Sequence, residues 1–85
     1  MRNAVKRFAE EMERQLARHD GLHGGDGWRG EGVTAIALLC SLQRKVAELT
    51  VDVCECHDST ANAAHVANFA MMLADTWNRW GGERT

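Results

Sequence analysis

The sequence predicts an all-α fold, and three observations carry the prediction. Apolar residues recur at steps of three and four in each of three segments, and no proline interrupts them. Glycine supplies the breaks: of eight glycines, six fall between Gly21 and Gly32, and the others are Gly81 and Gly82. The stretch "DGLHGGDGWRGEG" therefore reads as a loop over about 20–32, and "GGERT" as a frayed tail.

The first helix is expected over about 3–19, where Val5, Phe8, Met12 and Leu16 line one face and Asn3 is the N-cap candidate. The second is expected over about 33–56. There Leu39, Leu42, Val46, Leu49, Val53 and Cys56 alternate steps of three and four, an a/d seam suited to shallow helix crossings. The third is expected over about 59–80, with Asp58 or Ser59 capping "HDST" and Val66, Phe69, Leu73, Trp77 and Trp80 along its face. Helices two and three then form an antiparallel hairpin. Ala63, Ala67, Ala70, Met71 and Met72 make a second apolar face on the third helix, so two hairpins from two chains would build a four-helix core.

Composition bounds the function. A chain of 85 residues is one domain, 1–85, and it buries only roughly 60–65% of its unfolded surface. Three cysteines do not make the even framework of a secreted mini-protein, so reduced thiols in the cytoplasm are expected, with self-association as a source of stability. Ten Lys+Arg against twelve Asp+Glu leave a net charge of −2, which argues against a nucleic-acid partner. The first residues are too charged for a signal peptide, and nothing approaches the roughly 20 apolar residues of a membrane span.

The stretch "VAELTVDVCECHDSTANAAHVANFAMMLADTW", with "LHGGDGWRG" upstream, resembles the MazG-like nucleotide pyrophosphohydrolases, in the short form found in phages and other mobile elements. The likeness covers about residues 8–77, and "HVANFAMMLAD" is its most specific part. It implies an all-α scaffold and a magnesium site built from Glu-Glu-x-x-Glu on one helix and Glu-x-x-Asp on the next. Magnesium needs hard oxygen ligands, and that spacing sets carboxylates on one helix surface. Mapped onto this chain, the paired glutamates fall on Arg44 and Lys45 and the third on Glu48. The second pair falls on Asn62 and His65, and Gly24 and Gly25 stand where a basic loop residue is common. Four of the five acids are thus replaced, two of them by cations that would repel magnesium.

The expected function is accordingly a catalytically degenerate MazG-like protein, homodimeric, that binds a protein partner. Inhibition of a host defence system such as CRISPR is one setting that fits the phage-type resemblance. Arg44, Lys45, Trp28 and Asn68 are the candidates for contact with a partner or a nucleotide, and no cofactor is expected. The alternative is an active magnesium-dependent pyrophosphohydrolase with a rebuilt site, in which Glu48, Asp52, Glu55 and Asp75 supply the carboxylates. A lesser option is a zinc site of Cys54, Cys56, His57 and His65. Cys54 and Cys56 would clamp one ion only if the helix ended before Cys54, since residues two apart on a helix point apart. His65 otherwise reads as a solvent-facing histidine of the capping turn, and Asn68 as a buried hydrogen-bonding amide.

Overall fold

The computed structural model describes residues 1–23 and 34–80, with side chains described over 1–18 and 34–78. Three helices account for nearly all of this: α1 Asn3–His23, α2 Ala35–Cys54 and α3 Thr60–Trp80. The described residues contain no strand.

The first helix differs from expectation at both ends. Lys6 N–H bonds the Arg2 carbonyl at 3.0 Å, so Asn3 is the first helical residue and the capping position falls on Arg2. At the other end the helix continues through Gly21 to His23. One glycine costs a helix about 1 kcal/mol, which weakens a terminal turn without breaking it. Residues 24–32 of the expected loop lie outside the described residues, and Trp28 with them, as does residue 33 at the expected start of the second helix.

Helix α2 starts two residues later than expected because Thr34 caps it. Thr34 is extended (φ −100°, ψ 159°) and its Oγ1 accepts from Ala37 N–H at 3.1 Å. The helix ends at Cys54, earlier than its apolar pattern suggests. Cys56 N–H bonds the Val53 carbonyl at 3.3 Å, and His57 N–H bonds the Asp52 carbonyl at 2.8 Å. This nested pair is the Schellman motif, with Cys56 at the left-handed position (φ 59°) usually held by glycine. Asp58 Oδ1 then accepts from Thr60 N–H at 2.9 Å, which starts α3 and holds the Asp58 carboxyl below its ordinary value.

The short turn makes α2 and α3 an antiparallel pair. Helix α3 also packs on α1, and no close backbone approach joins α1 to α2 among the described residues. Helix α3 is therefore the central element. Among the described residues, its Ala64 and Met72, with Leu38 of α2, are the buried apolar ones, and Gln15, Asn68 and Thr76 are the buried polar ones. Met72 thus belongs to the chain's own core and not to an outer apolar face. The a/d seam of α2 also divides. Leu42 and Leu49 are half-buried beside Leu38, while Leu39, Val46 and Val53 are exposed. The reason is rotational: α3 seats on the line Leu38, Leu42, Lys45, Leu49 and Asp52, one ridge round from the exposed three.

Candidate functional site

Of the residues that the resemblance assigns to a metal site, Asn62 meets Asp52 across the α2–α3 contact near the turn, while Lys45 and Glu48 pair with each other along α2. Asn62 Nδ2 donates to Asp52 Oδ2 at 2.7 Å, tying the start of α3 to the end of α2. Asp52 Oδ1 lies 3.9 Å from His57 Nδ1, so the half-buried carboxylate faces an amide on one oxygen and an imidazole on the other. One turn back on α2, Lys45 Nζ reaches Glu48 Oε1 at 3.4 Å. Lys45 is half-buried and Glu48 exposed, which leaves this pair partly screened by solvent.

Chemically, these are acids already engaged by neighbours, Glu48 by a cation and Asp52 by a neutral amide. Lys45 supplies the positive charge opposite Glu48, and Asn62 supplies the donor to Asp52. A magnesium ion at this point would compete with both, and Arg44 on the exposed side of the same turn adds repulsion. The donor set does not fit the implied ion. Among the described residues, no group of three His, Cys, Asp or Glu is arranged to hold a metal.

The carboxylates proposed for a rebuilt site are not all brought together. Glu48 and Asp52 share one side of α2, but Glu55 is the C-cap residue (φ −102°, ψ 10°) and leaves the helical face. Asp75 lies 13 positions beyond Asn62 on α3, about 20 Å along the axis at 1.5 Å per residue. It is half-buried there and engaged in an interaction of its own.

The cysteines are all exposed and free. The helix ends at Cys54, not before it, and Cys56 turns away in the left-handed region. His65 sits half-buried in the second turn of α3 and is itself engaged, so it is not a solvent-facing residue of the capping turn. The four zinc candidates therefore form no clamp.

Asn68 makes the buried bond expected of it: Nδ2 donates to the Met12 carbonyl at 3.1 Å, across α3 to α1. It is only 3% exposed, and its Oδ1 has no hydrogen-bond partner among the described residues. This places Asn68 at the α1–α3 contact, apart from the α2 surface that carries Arg44. Sequence reasoning missed the Asn62–Asp52 tie, because a ten-residue separation across a turn of unknown length shows no periodic signal. Comparison with protein families, curated proteins and solved structures found no match to this chain.

Proposed function

We propose that this chain is a non-catalytic helical binding protein on a MazG-like scaffold, working as a homodimer whose paired hairpins form a four-helix core. The observation that carries this reading is that the acids already have partners: Lys45 is ion-paired with Glu48, and Asn62 donates to Asp52. An enzyme of the resembled family needs those positions anionic and open to metal. Here Asn62 instead ties α3 to α2 through Asp52, and Lys45 pairs with Glu48 along α2. Arg44, exposed beside Glu48, then becomes available for contact with a protein partner or a phosphate group. The phage-type resemblance suggests a partner in a host defence system such as CRISPR.

The test is direct. Purified protein is incubated with each nucleoside triphosphate and magnesium, and pyrophosphate release is measured. No release above the protein-free blank is expected. Release that Glu48→Ala abolishes would overturn the reading in favour of the rebuilt enzyme. Calorimetric titration with magnesium and manganese gives the binding side, with a flat isotherm expected.

A further inference from the structure

The most conspicuous unexplained surface is on the α2–α3 hairpin. Ile36, Leu39, Gln43, Val46, Thr50 and Val53 follow one another at steps of three and four, and all six are exposed. The exposure is large where burial would be expected: 58% for Ile36, 44% for Val46 and 64% for Val53. No charged residue interrupts this arc, since Arg44, Lys45, Glu48 and Asp52 all fall on the other sides of α2.

Helix α3 carries a matching stripe of alanines that ends on a tryptophan. Asn62 points to α2 and Asn68 to α1, and at 100° per residue the remaining arc holds Ala70, Ala74 and Trp77, all exposed. Ala63 and Ala67 continue it, half-buried. Because the two helices run antiparallel and turn in opposite senses viewed down one axis, both stripes emerge on the same side of the hairpin, away from α1. The result is one face with bulky aliphatic side chains on one half and, on the other, alanines with Trp77 at one end.

We propose that this uncharged face is the seam on which a second copy of the chain docks, with α2 of each copy seated on α3 of the other. The proposal rests on the homodimer reading above and specifies where that dimer forms. Three arguments favour a second copy. The face has no charge, so a copy meets no like-charge repulsion. Bulky residues opposite alanines make it complementary to itself under a two-fold rotation. Among the described residues the buried apolar core is Leu38, Ala64 and Met72, and a core that small gains from a partner that is always present. The size is adequate: about 26 Å by about 20 Å gives on the order of 500 Å² per copy and 1,000 Å² for the pair, the lower limit of a specific interface.

The experiment combines mass and thiol reactivity on the full chain. Light scattering across a dilution series is run on the wild type, on Val46→Glu at the centre of the seam, and on Ala37→Glu on an exposed position outside it. The wild type and Ala37→Glu should be dimers, and Val46→Glu should dissociate at least about 100-fold more readily, since the dimer carries the change twice. Independently, in Thr50→Cys the introduced thiol should react with maleimide about tenfold more slowly than exposed Cys56 where dimer dominates, and equally fast on dilution to monomer. This second variant decides the matter if Val46→Glu fails to fold. A wild type that is monomeric at every concentration overturns both the dimer and the seam. A dimer in which the Thr50→Cys thiol reacts as fast as Cys56 leaves the dimer standing and overturns the seam.

Discussion

Replacing Cys56 by glycine should make the protein more stable, although the thiol is one of the four zinc candidates of the sequence. Cys56 occupies the left-handed region at φ 59°, closing the Schellman motif through its bond to Val53 and that of His57 to Asp52. An L-residue there costs roughly 1–2 kcal/mol, from the approach of Cβ to the following carbonyl oxygen. Glycine removes that clash but adds about 0.5–1 kcal/mol of chain entropy to be lost on folding. The difference is a gain of about 0.5–1 kcal/mol, because Cys56 is exposed and packs against nothing that glycine would forfeit. For a domain of this size that raises Tm by about 2–8 °C. Thermal unfolding followed by circular dichroism at one fixed protein concentration reads it, with fixed concentration required because a dimer's Tm depends on it. The control is Cys56→Ala, which loses the thiol but keeps the Cβ and should melt with the wild type. A Cys56→Gly variant no more stable than Cys56→Ala would refute the strain argument.

Other outcomes follow from the same geometry. Asn62→Ala should cost about 1–2 kcal/mol in urea unfolding, since it leaves a half-buried Asp52 oxygen without its donor. Asn62→Asp should cost more, because it sets two carboxylates against each other. Thr34→Ala should lower stability by about 1 kcal/mol, and Thr34→Asn should restore it, because the loss is that of the N-cap acceptor. Asp58 has its folded pKa depressed by the Thr60 backbone and hydroxyl hydrogen bonds. Its contribution is therefore complete above the ordinary value of 3.8 and is lost as pH falls through the lower folded value. Asp58→Ala should flatten that part of the acid unfolding curve and leave stability at neutral pH lower than wild type.

The all-α class, the number of helices and the antiparallel hairpin follow from periodicity, glycine placement and the absence of proline, which act through neighbouring residues alone. Those signals place apolar residues on a helix but do not say which ridge faces which neighbour. Leu39 and Leu42 look alike in the pattern, yet the rotation of α2 on α3 half-buries Leu42 and leaves Leu39 exposed. The end of α2 was hidden for a similar reason: a cysteine in the left-handed region carries no glycine signal, and the bonds that stop the helix are backbone bonds. The site shows the same division. Sequence alone marked Arg44, Lys45, Asn62 and His65 as departures from an acidic motif. Only the tertiary structure decided that the surviving acids are engaged, because Asn62 reaches Asp52 across two helices and that distance depends on how they pack.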